Sequence, residues 1–76
     1  MKLNKRYFVY DAYDCYMSGN WTGKLEYIGQ GNNKREVTAI IRQRDDETDG
    51  ENYIIIYDRY NKEEVSLDMV GLPYKG

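Results

Sequence analysis

The densest group of chemically active side chains is Asp45-Asp46-Glu47-Thr48-Asp49-Gly50-Glu51. Asp45, Glu47, Asp49 and Gly50 fall where the ligands and the turn glycine of a calcium loop would begin. Such a loop closes on a bidentate Glu at its twelfth position, which here is Ile56. Without that ligand the segment is expected to be a solvated, carboxylate-rich hairpin loop. The chain has no histidine and one cysteine, Cys15, so a Cys/His zinc site is impossible. The thiol has no histidine to activate it, and Asp14 beside it disfavours the thiolate. Ser18, Thr22, Thr38, Thr48 and Ser66 lack a histidine base in the same way. Asp11 and Asp14 would need a shaped cleft for acid–base work, and 76 residues hardly allow one. Gly29-Gln30-Gly31 lacks the further glycine and the helix pattern of a phosphate loop. No catalytic, cofactor-binding or metal-binding residue is therefore expected, and the protein is expected not to be an enzyme.

Binding is the chemistry that remains. Asp45, Asp46, Glu47, Asp49 and Glu51 on one loop, set against Lys and Arg that ordinarily hold phosphates, would imitate a nucleic-acid backbone and speed encounter by steering. Nine tyrosines cannot all be deep in so small a domain, so several must lie at the surface. Tyr13, Tyr16 and Tyr60 are the candidate anchors. The alternative is a small nucleic-acid-binding barrel using Lys34, Arg35, Arg42, Arg44 and Arg59, expected on neighbouring strands with Arg42 and Arg44 on one face. Against it stand the carboxylates that follow Arg44 and a net charge of −2 from 11 basic and 13 acidic residues.

No segment carries a motif specific to one family. In general type the chain is tiny, acidic, histidine-free and rich in tyrosine and strand formers. In these respects it is similar to phage- and mobile-element-encoded inhibitors, anti-CRISPR proteins among them. That similarity implies a protein that occupies a site on a larger, nucleic-acid-handling complex and needs a surface rather than a reaction centre.

The elements expected to position these residues are mostly strands. Residues 6–12 are aromatic and β-branched, and 21–28 alternate, with Trp21, Gly23, Leu25 and Tyr27 on one face. Gly29 to Asn33 reads as a turn. Residues 36–44 read as a strand with Val37, Ala39 and Ile41 inward and Ile40 as a misfit. Residues 52–60 are the clearest strand. Tyr53 to Tyr57 is apolar on both faces, so it is expected at the centre of a sheet, with Ile55 buried. Hairpins are expected between 36–44 and 52–60, and between 52–60 and 65–70. Short helices are alternatives at 11–18, before Gly19, and at 61–70. The expected fold is all-β, a small antiparallel five-stranded barrel or curved meander over 1–76. The alternative is α+β, an antiparallel sheet with one short helix at 11–18.

A single cysteine argues for a reducing, cytoplasmic setting. The apolar run after the basic start stops at Asp11, too early for a signal peptide, and no stretch is long enough to span a membrane. Asn20-Trp21-Thr22 fits a glycosylation acceptor and is read as chance. Small chains without disulfides or metals lean on a partner or a second copy, so homo-oligomer formation is the remaining expectation.

Overall fold

The computed structural model describes residues 4–19 and 25–71. Among the described residues, four strands form one antiparallel sheet in the order β2-β1-β3-β4: β1 (Tyr7–Asp11), β2 (Glu26–Gly31), β3 (Ile54–Asp58) and β4 (Glu63–Val65). A short helix α1 (Tyr13–Ser18) follows β1, and a long helix α2 (Lys34–Thr48) joins β2 to β3. A single 3-10 turn spans Leu67–Met69. The architecture is α+β, and the five-stranded barrel is overturned.

The segment responsible is 36–44, which is helical and forms no hairpin with 52–60. Val37, Ile40, Ile41 and Arg44 recur at the helical spacing i, i+3, i+4, i+7, so the residue that spoiled the alternation, Ile40, belongs to the apolar stripe. Val37 is fully buried, Ile40 and Ile41 pack against the core, and Ala39, expected inside, is exposed. Asn33 starts the helix by accepting from the Glu36 N–H (2.9 Å), while Glu36 accepts from the Asn32 N–H (2.7 Å). Paired caps of this kind fix a helix start and outweigh the modest cost of β-branched residues inside it. The helix ends at Asp49 and Gly50, both left-handed (φ 53° and 82°).

Gly29 and Gly31, expected in a turn, are instead the last part of β2 and face α2. A Cβ on Gly31 would stand 2.8 Å from the Cβ of Glu36, and one on Gly29 3.0 Å from Ile40 Cδ1. These glycines let the helix lie close to the strand. The first half of the strand expected at 21–28, and Asn20-Trp21-Thr22 with it, lie outside the described residues. The tail 61–70 is neither one helix nor one strand: β4 ends at Val65 and the 3-10 turn follows.

β3 is an interior strand, as its apolar character requires, with β1 on one side and β4 on the other. Tyr7, Val9, Val37, Ile56 and Val70 form the buried core between the sheet and α2. Ile55, expected to be buried, points to the opposite face and is only half-buried, whereas Ile56 is 4% exposed. That opposite face carries Phe8, Tyr10, Tyr27, Ile55 and Tyr57.

Candidate functional site

Two buried aspartates fasten the ends of the central strand pair. Asp11 closes β1. Its Oδ1 accepts the Tyr13 N–H (2.9 Å) and the Tyr53 N–H (3.0 Å), and its Oδ2 accepts Arg44 Nε (2.7 Å). One carboxylate thus joins the start of α1, the approach to β3 and the last turns of α2. Arg44 also makes a two-pronged pair with Glu26 (2.6 and 3.1 Å) and lies 3.7 Å from Glu47. At the other end, Asp58 takes a bidentate pair from Arg6 (3.1 and 3.0 Å) and the N–H of Tyr60 (3.0 Å). The Arg6 guanidinium lies over the Tyr7 and Tyr60 rings, 4.9 and 5.1 Å from their centres.

The two carboxyls are held in the charged form. Burial pushes the Asp11 pKa up, but the hydrogen bonds from Tyr53, Arg44 and Tyr13 outweigh it and the net shift is downward. At Asp58 the Arg6 hydrogen bonds are the largest cause of a downward shift that burial only partly opposes. Arg44 is shifted upward, first by Glu26 and then by Asp11. A carboxyl whose folded pKa is depressed contributes stability above its unfolded pKa, about 3.9 for Asp, and loses it as pH falls through the folded value. The urea midpoint is therefore expected to be flat from about pH 7 to about pH 5 and to fall steeply below about pH 4. Asp58→Asn should start from a lower plateau and flatten the acid limb. An acid limb identical in this variant and the parent would show that Asp58 is not a source of it.

The acidic segment is only partly a loop. Asp45, Asp46 and Glu47 occupy the last turn of α2, Asp49 is its C-cap, and Glu51 follows; all five are exposed. Among the described residues no group of acidic or sulfur side chains could hold a metal ion. A helix end already bears partial negative charge, and this last turn contains no basic residue. Asn52 Nδ2 donates to Asp45 (2.6 Å) and steadies the exit from the helix.

Asp11 brings tyrosines to this same end. Tyr16 on α1 stacks on Tyr53, ring centres 4.8 Å apart, and both are exposed. Tyr13 opens α1 and is half-buried. Tyr60 is exposed too, but it lies beside Arg6 and Asp58 at the far end of the sheet. Cys15 is buried. The basic residues do not form one patch on neighbouring strands. Lys34, Arg35 and Arg42 lie along the outside of α2 and line a depression with Thr38 and Ala39. Arg42 and Arg44, two positions apart on a helix, point to different sides, and Arg44 is taken up by carboxylates. Arg59 stands over Phe8 on the other side of the sheet, 5.2 Å from the ring centre.

Tyr53, Asp11 and Arg44 are the members of this end that sequence reasoning missed as a group. Nothing local in the sequence links them. No described helix is long and apolar enough to cross a membrane. No family model matches the chain, and no curated protein and no solved structure matches it.

Proposed function

We propose that this chain is a non-enzymatic protein-binding module, an inhibitor of the phage or mobile-element type that blocks a nucleic-acid-handling complex. Its docking surface is the acidic end of α2 with Tyr16 and Tyr53 beside it. The supporting observation is the placement of Asp45, Asp46 and Glu47. Each lies in the last turn of a helix, where the exposed carbonyls already make a negative charge unfavourable by about 0.3–1 kcal/mol. Asn52 and Arg44 engage Asp45 and Glu47 only in part, and the exposed negative charge left beside the helix's own negative end points to use outside the fold. Exposed carboxylates at this end present acceptors to a cationic groove in place of phosphates, and the stacked tyrosines supply area that loses water on contact.

The test replaces Asp45, Asp46 and Asp49 by Asn and Glu47 by Gln. Parent and variant are immobilised and exposed to host lysate with and without duplex DNA. A nucleic-acid-handling protein held by the parent, displaced by DNA and lost from the variant supports the proposal. Equal retention by both removes the acidic end from the reading. The variant should melt at the parent's temperature or above it, because exposed charges contribute only about 0–1 kcal/mol each.

Direct nucleic-acid binding is the second reading, favoured by Lys34, Arg35 and Arg42. All three are exposed and lie on one side of α2. Submicromolar binding of an oligonucleotide in a fluorescence titration near about 0.1 M salt, lost on changing these three to Gln, would replace the first reading by this one.

A further inference from the structure

Helix α2 ends on the one Asp-Gly pair in the chain, Asp49-Gly50. An aspartate before glycine is open to rearrangement, because glycine has no side chain to hinder attack by its own amide nitrogen. The Gly50 nitrogen bonds to the Asp49 Cγ. The amide hydrogen and the carboxyl hydroxyl leave as water, and a five-membered succinimide results. Water then opens the ring at one of its two carbonyls. One opening restores aspartate. The other gives isoaspartate, in which the main chain runs through the side-chain carboxyl and the former backbone carbonyl becomes the free carboxylate. Water is the only co-reactant, and Asp49, Gly50 and Glu51 are all exposed to it.

The helix cap decides when the ring can close. Closure needs the Gly50 nitrogen and the Asp49 Cβ on the same side of the Cα–C bond. Asp49 is left-handed, with φ 53° and ψ 38°. In an L residue that ψ sets the next nitrogen nearly opposite Cβ, out of reach of the side-chain carboxyl. The Gly50 N–H is also occupied, donating to the Asp45 carbonyl (3.1 Å), and the Glu51 N–H donates to the Thr48 carbonyl (3.0 Å). Asn52 Nδ2 braces the same turn through Asp45 (2.6 Å) and Thr48 Oγ1 (3.0 Å). Turning ψ to the closing value swings the Gly50 amide away from Asp45 and breaks the cap.

We propose that Asp49-Gly50 is a conditional modification site, inert while α2 is capped and converted to isoaspartate when the last turn opens. Isoaspartate adds one atom to the main chain at position 49, so the cap cannot re-form as it was. The product is a lasting mark of an opening that is itself brief. The site adjoins Asp45, Asp46 and Glu47, but its chemistry is independent of what that end binds.

The full chain is held in warm, neutral water enriched in heavy oxygen, then digested with trypsin in ordinary water. Mass spectrometry of the peptide 45–59 counts each passage through the succinimide as heavy oxygen gained at Asp49. The native chain should gain label at least about tenfold more slowly than the same chain in urea above its unfolding midpoint, because the open fraction sets the rate. Asn52→Ala, with native circular dichroism, should gain label at least about threefold faster than the parent, because a bond to a charged acceptor is lost from the brace. If Asn52→Ala does not fold, urea below the midpoint gives the same readout on the parent: label should rise before the global transition. Equal labelling of native and unfolded chains, or no label in the unfolded chain, would overturn the proposal. So would a folded Asn52→Ala that labels at the parent's rate, or labelling that rises only with global unfolding.

Discussion

Asp11→Ala is expected to cost about 3–5 kcal/mol, close to the whole stability of a chain this size. The carboxylate is 5% exposed, and its removal strands the Tyr13 and Tyr53 amides and one prong of Arg44. Asp11→Asn keeps an acceptor for the two amides and gives up the charged partner of Arg44. It should cost less, about 1.5–3 kcal/mol. Urea unfolding followed by circular dichroism would rank parent, Asn and Ala in that order of falling stability. An Ala variant within about 1 kcal/mol of the parent would mean that α1, β3 and α2 stay assembled without this carboxylate.

Ile56→Asp should unfold the domain outright. Ile56 sits between Val9 and Val65 against α2, and an unpaired carboxylate there costs several kcal/mol, about 3–5 at the least. Its neighbour provides the control. Ile55 points to the aromatic side and is half-buried, so Ile55→Asp should cost about 1–3 kcal/mol and leave a folded protein. Melting curves of the two variants read the face assignment of β3 directly. If Ile55→Asp were the more damaging, the two faces of the sheet would be exchanged.

The strands at the centre of the sheet were legible because their signal is local. Tyr7 to Asp11 and Ile54 to Asp58 are runs of aromatic and β-branched residues bounded by polar ones. The short helix before Gly19 was legible as an alternative for the same reason. α2 was not. Val37, Thr38, Ile40 and Ile41 favour strands by type, and only the misfit of Ile40 marks the helical period. Asn33 and Glu36 carry a capping pattern that an expected turn concealed. Once α2 is a helix, the hairpin that placed Arg42 beside Arg44 disappears, and so does the single basic face. The acidic residues were legible as a group, but their position at a helix end was not. The arginine partners of Asp11 and Asp58 have no local signal, since Arg44 and Arg6 lie 33 and 52 positions away in the chain.

The strand order carries a consequence for synthesis. β1 is made first but lies inside the sheet, flanked by β2 and by β3, which arrives only after α2. A nascent chain that has released everything up to Gly50 can pair β1 with β2 and coil α2 from local contacts, yet one edge of β1 stays open. Contacts between distant segments set the pace of folding, so closure waits for Ile54–Asp58. That segment is also the one most prone to pair with other chains. Translation from the N-terminus brings it out last among the three longer strands, when the slot beside β1 that receives it already exists, and so shortens the time it spends exposed.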